Sequence, residues 1–418
     1  MQEPSDHSGS EFLPHSMMFF KCLISSPKME CYMKLTVKPL VLAVLMACTL
    51  PTAQAAETTG PLQVTQQTAS VKITEQAVAN AVYELAYSPG KNELFVMAPV
   101  FKKDLEAGKK PQVVRLNGDT LKPEGATDLP SAGFGTVLDE ANHTLYIGTH
   151  NSTVIAYDTE TNKVKGELPL AGKETDKKTG KKNYTHFLRQ LRLDTKNQRL
   201  YIPGISAESS VLYVVDTRTF KLIKTVENTG KMSTGITQAA DGGDIFLTNW
   251  QHEMVVVDSK TLDIKKRFNI PVDQPLFLAW NPERKEVLAV DEGLEKIYGM
   301  LKKEAQETGK TYQAKSEGDS LVVLDPQSGQ VIRTLPTGKQ PVAVRVDDKT
   351  GRIYVTALQG GSVSVYSTKD YRLLNTVTIK PSANSIAVNS KDGSVYISVK
   401  NFASEDKTEK EKVARLQF

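Results

Sequence analysis

From about residue 83 onward, short apolar stretches alternate with polar turns at an even spacing. Leu145-Tyr146-Ile147-Gly148, Leu200-Tyr201-Ile202-Pro203, Ile245-Phe246-Leu247-Thr248, Ile353-Tyr354-Val355-Thr356 and Val395-Tyr396-Ile397-Ser398 are β-branched and aromatic segments, each following an Asp, Asn or Gly turn. Another apolar segment precedes each of them, as in Gly135-Thr136-Val137-Leu138 or Val342-Ala343-Val344-Arg345. A third follows, as in Leu212-Tyr213-Val214-Val215-Asp216-Thr217, and Lys221-Leu222-Ile223-Lys224-Thr225-Val226 exemplifies a fourth. Strand-length runs without long helical periodicity predict an all-β chain. Four strands in about 42 residues make the blade of a β-propeller. Innermost strands are expected to begin near Tyr83, Phe134, Leu188, Thr234, Phe277, Val342 and Asn384, which makes seven blades. The last unit reaches only three strands, the third at 413–418, while 64–74 is strand-like and otherwise unpaired. That N-terminal strand is expected to complete the last blade and close the ring, removing an exposed sheet edge.

The first residues follow another pattern. A basic start, Met33-Lys34-Leu35-Thr36-Val37-Lys38, leads into an apolar run over 40–50 and then Pro51-Thr52-Ala53-Gln54-Ala55. This predicts a signal peptide over 33–55, cut after Ala55, with 56–418 as the exported propeller. Residues 1–32 read as upstream sequence from a too-early start. Leu45-Met46-Ala47-Cys48 resembles a lipoprotein box, so a lipid anchor at Cys48 is the alternative to soluble export. Cys22, Cys31 and Cys48 all precede the expected cut, which excludes disulfides and thiolate catalysis in the exported part. The formal charge of +4 forces no nucleic-acid reading, so any basic surface must be local. The exported part has no apolar run long enough to span a membrane.

Residues 154–168, VIAYDTETNKVKGEL, and 353–357, IYVTA, resemble YVTN-type propeller repeats. Asn228-Thr229-Gly230-Lys231-Met232-Ser233-Thr234-Gly235 and Tyr83-Glu84-Leu85-Ala86-Tyr87-Ser88 resemble the YncE-like family of periplasmic seven-bladed propellers. The resemblance implies a periplasmic binding propeller able to bind single-stranded DNA, with no established catalytic activity.

The strand order sorts the loops by face. Connections into each innermost strand, and those between second and third strands, share one mouth of the central channel. Ligand sites belong on loops set by a rigid scaffold, so this mouth is the candidate. Near its axis are Tyr83, Phe134 and Arg189, whose charge is expected to face a water-filled channel; further out are His150, Asn249 and Trp250. An insertion at 172–184 carries five lysines against two acids and leads through Tyr184 and Phe187 to Arg189. Lys178, Lys181 and Lys182 interleaved with rings suit sequence-tolerant single-strand binding, although a solvated loop has the same composition. A second insertion, about 292–318, repeats Leu294, Ile297, Leu301 and Ala305 at helical spacing, with Gly309 placed as a stop. It reads either as packing over the propeller or as a docking element for a protein partner.

Three histidines, His150, His186 and His252, fall on this mouth and His143 on the other, but their spacing does not favour a metal, and no cofactor is expected. The chain lacks G-x-S-x-G, H-E-x-x-H, phosphate-loop and dinucleotide motifs. Asp158, Asp216, Asp258 and Asp325 repeat at one turn position and read as turn formers. The expectation is a non-catalytic binding propeller. A protein scaffold and a lactonase- or quinoprotein-like enzyme are the alternatives.

Overall fold

The computed structural model describes residues 70–100, 102–175, 180–401 and 409–418. The expected signal peptide, Cys48 and Lys178 lie outside the described residues. The described chain forms seven antiparallel blades, each with four successive strands from the axis outward. Blade one comprises Leu85–Ser88, Glu93–Ala98, Gln112–Asn117 and Pro123–Asp128, and blade two Gly133–Asp139, Thr144–Thr149, Thr153–Asp158 and Lys163–Pro169. In blade three the innermost strand is split into Phe187–Leu188 and Arg192–Asp194, followed by Arg199–Ile205, Ser210–Asp216 and Lys221–Gly230. Blade four is Gly235–Gln238, Ile245–Asn249, Glu253–Val257 and Ile264–Asn269. Blade five is Pro275–Asn281, Glu286–Asp291, Ser320–Leu324 and Val331–Pro336; blade six is Pro341–Asp347, Arg352–Ala357, Ser362–Ser367 and Leu373–Thr378. Every innermost strand lies where the sequence pattern places it.

Second and third strands are covered on both faces by neighbouring blades, so they read as continuous apolar runs; all of Thr144–Thr149 is buried. Outermost strands, such as Lys163–Pro169, alternate between exposed and half-buried positions. In blades two to five the third strand runs into an aspartate that holds the following turn. Asp158 Oδ1 accepts the amides of Glu160 and Thr161 at 2.9 and 2.8 Å, and Asp258 and Asp325 repeat that geometry.

Blade seven contains Ile386–Asn389, Ser394–Val399 and Glu411–Gln417, and its outer strand is Lys72–Ala79, paired from Lys72↔Gln417 to Ala77↔Lys412. The ring is therefore closed by an N-terminal strand, but one lying beyond most of the expected 64–74. The inward positions of Lys72–Ala79 include Thr74 and Gln76, while Ile73 faces solvent, so hydrophobic patterning does not mark this strand. Glu411, buried beside the closure, pairs with Lys400 Nζ at 3.3 Å and accepts the Val82 amide at 2.6 Å. Lys400 also donates to the Val82 carbonyl at 2.7 Å, tying blade seven to blade one.

Candidate functional site

Gly135 lets the chain reach the axis closely at the mouth that bears both insertions. A Cβ there would lie 1.2 Å from the Arg189 carbonyl oxygen, so only glycine permits this approach of blades two and three. Arg189 then sits against the ring of Tyr83, its guanidinium carbon 5.9 Å from the centroid. Tyr83 packs edge-on to Phe134 at 5.1 Å, and Phe134 edge-on to His150 at 5.9 Å. Lys400 Nζ lies 5.2 Å from the same Tyr83 ring. Tyr83 and Phe134 also join the core cluster between blades one and two, with Phe95, Met97 and Tyr157.

The expectation of a solvated Arg189 is corrected: the residue is only 6% exposed. Two buried acids act on it, Glu84 at the start of blade one and Glu292, fully buried where blade five enters its insertion. Glu292 Oε1 accepts Gln340 Nε2 at 2.8 Å. Burial raises the Glu292 carboxyl to about 7, although Gln340 and Arg189 both pull it down. Its Oε2, together with Arg189 Nε and Nη1, is buried without a hydrogen-bond partner. Burial also raises the Tyr83 phenol and lowers the His150 imidazole. The motif search missed Glu292 and Gln340. Their only signal is position: an acidic pair, Asp291 and Glu292, ends the apolar strand that runs in from Val287.

Further out, the helix Glu295–Glu307 occupies the second insertion as its spacing predicts. Its apolar side is spent on the propeller. Ile297 packs with Trp250, Met232 and Ile205, bordered by Leu294, Leu301 and Phe187. Trp250 is 8% exposed, which corrects its reading as an open stacking ring. The returning segment is held by fully buried Asp273, whose Oδ2 accepts the amides of Lys315 and Ser316 at 2.7 and 2.9 Å and whose Oδ1 accepts Tyr312 Oη at 2.7 Å. Lys231 pairs with Glu304 of the helix at 2.6 Å.

Asn249 is buried and engaged, its Nδ2 donating to the Thr229 carbonyl of blade three at 3.0 Å and to Glu253 Oε2 at 2.9 Å while its Oδ1 accepts the Gln251 amide at 2.9 Å. The first insertion is a hairpin, Lys173–Thr175 paired with Lys182–Tyr184. Lys173, Lys181 and Lys182 are exposed, Tyr184 is half-buried, and Lys173 Nζ stands 4.9 Å from the Tyr184 centroid. The structure thus divides the described predicted residues into three sets. Tyr83, Phe134, His150 and Arg189 meet at the axis, Trp250 and Phe187 pack with the insertion helix with Asn249 in the adjoining turn, and Tyr184, Lys181 and Lys182 form an outer rim.

The three histidines of this mouth stand apart. His186 Nδ1 lies 2.6 Å from Tyr213 Oη, and His252 Nδ1 lies 3.2 Å from the Val272 carbonyl and 3.5 Å from Asp273 Oδ1. Among the described residues, no three His, Cys, Asp or Glu side chains gather as a metal site requires. No described helix is long and apolar enough to cross a membrane.

No family model matches the chain. It is similar to a protein named YncE from Salmonella typhi, 30% identical over 305 residues, covering 66% of this chain and 82% of that protein. The Salmonella typhimurium protein of the same name is 30% identical over 299 residues, with the same coverage of both chains. A YncE protein of Escherichia coli (strain K12) is 33% identical over 238 residues, covering 53% of this chain. The match spans 65% of that relative's length, just under two thirds.

Proposed function

Because this chain belongs to the YncE-like family of β-propellers, we propose that it is an exported, periplasmic binding protein without catalytic activity. Its proposed ligand is single-stranded DNA, taken on the rim of the mouth that carries both insertions. The observation supporting this reading is the pairing of Lys173–Thr175 with Lys182–Tyr184, which sets exposed Lys173 against the half-buried ring of Tyr184 with exposed Lys182 on the same ladder and Lys181 next to it. Cations that follow phosphates, beside a ring on which bases stack, are what single-strand binding requires. The covered Trp250 and Arg189 move the expected contact surface outward from the axis to this rim.

The test is fluorescence anisotropy with a labelled oligothymidylate and a duplex control. Stacking on a ring contributes roughly 1–3 kcal/mol, so Tyr184→Ala is expected to weaken binding by about ten-fold. Replacing Lys181 and Lys182 by Ala should flatten the salt dependence, each lost phosphate contact removing about 0.7 from the slope of log affinity against log salt. Variants that bind like the wild type, or a duplex that binds as well as the single strand, would overturn the reading.

The enzyme alternative has one observation in its favour, the buried carboxyl of Glu292 poised near neutrality beside Arg189. Turnover lost in Glu292→Gln while strand binding persists would favour it. The scaffold alternative is left with the charged outer side of Glu295–Glu307, where Lys302, Lys303 and Glu304 are exposed.

A further inference from the structure

The seven innermost strands enclose a cavity of about 500 Å³ along the axis. Its lining includes Ala240, Pro282 and Asp348, which belong to turns between the first and second strands of blades four, five and six. The cavity therefore opens toward the mouth opposite the two insertions. Its wall is about evenly polar and apolar: Thr136, Gln190 and Gln238 stand beside half-buried Val137, Leu138 and Val346, and half-buried Trp280, stacked on Phe246 at 5.8 Å, also borders it.

Two guanidinium groups interrupt this wall, Arg192 and Arg345. Arg345 is partly committed: its Nη2 donates to Glu84 Oε1 at 3.0 Å, and the group lies 4.8 Å from the Phe277 centroid. Arg192 is exposed to the channel, and the acid acting on it, Asp194, is already held by Asn197 Nδ2 at 2.8 Å and Gln238 Nε2 at 2.7 Å. Desolvation by the surrounding wall holds the Arg192 guanidinium below the usual arginine range, against the pull of Asp194, and repulsion from Arg345 adds to this. Asp348, at the rim, is the one acid in the lining. Two like charges in one partly desolvated space are costly, and an anion between them removes the cost. A concavity in which charged groups converge beside apolar surface is also how small-molecule sites are built.

We propose that the axial cavity binds a small organic anion, its carboxylate or phosphate between Arg192 and Arg345 and its apolar body against half-buried Val137, Leu138 and Val346. The site lies at the far end of the molecule from the hairpin lysines, so the strand-binding reading and this one stand or fall separately.

The purified full chain is titrated with 8-anilinonaphthalene-1-sulfonate, an aromatic anion that fluoresces in apolar surroundings. Saturable enhancement is expected, reversed by benzoate or phenyl phosphate, which between them identify the preferred head group, and not by uncharged benzyl alcohol. Charge-assisted hydrogen bonds are the strong ones, so Arg192→Gln should weaken binding by about ten-fold with an unchanged melting temperature. Raising the ionic strength should weaken the wild type, a check that needs no variant. The proposal is overturned by an absence of saturable enhancement, by displacement with benzyl alcohol as effective as with the anions, or by Arg192→Gln binding the probe like the wild type.

Discussion

Replacing Glu292 with Gln asks whether burial keeps this axial carboxyl protonated in the folded chain. Its value rises from an ordinary 4.5 to about 7 on folding. At about 1.36 kcal/mol per pH unit, that difference corresponds to about 3 kcal/mol. Between the two values the folded chain retains a proton that the unfolded chain has released, so stability falls as the pH rises through this window. Gln keeps an oxygen for Gln340 Nε2 but carries no charge to desolvate. Near pH 4 the two proteins should therefore unfold at similar urea concentrations. Near pH 8 Glu292→Gln should be the more stable by up to about 3 kcal/mol, most of the divergence appearing between about pH 4.5 and 7. Glu84 and Asp291 are also raised by burial and steepen the pH dependence of both proteins, so the difference between the two curves is the quantity to follow. Equal stability near pH 8, or a weaker Gln variant there, would refute the reasoning and mean that Glu292 is ionised and held by Arg189.

Deleting residues 72–79 should expose the edge of Glu411–Gln417 and cause aggregation or a broadened melt; a truncated chain that elutes and melts like the full one would remove this strand from ring closure. Trp250→Ala should destabilise the chain by about 3–5 kcal/mol in urea because it empties the contact under the insertion helix, whereas an unchanged midpoint would mean that the ring is not core. Asp273→Ala removes the acceptor for Tyr312, Lys315 and Ser316, so limited proteolysis should cut between 308 and 318 faster than in the wild type; an unchanged cleavage rate would show that the return segment is held by other contacts.

The seven blades, their strand starts, the aspartate turns and the insertion helix were legible in the sequence because each rests on local chemistry. Strand periodicity, Asx turns and helical spacing act over a few residues, and burial of the middle strands on both faces leaves unbroken apolar runs such as Thr144–Thr149. Ring closure was legible in principle but not in its bounds, since Lys72–Ala79 is held by its ladder to Glu411–Gln417 and not by an apolar face. Exposure was decided only by tertiary packing. Trp250 is a turn residue by sequence, and the distant helix Glu295–Glu307 covers it. Arg189 looks solvated until Tyr83 and Glu292 arrive beside it from other blades. The axial cavity is the furthest from local information. Arg192 and Arg345, 153 positions apart in numbering, come to line one cavity only because the blades close into a ring.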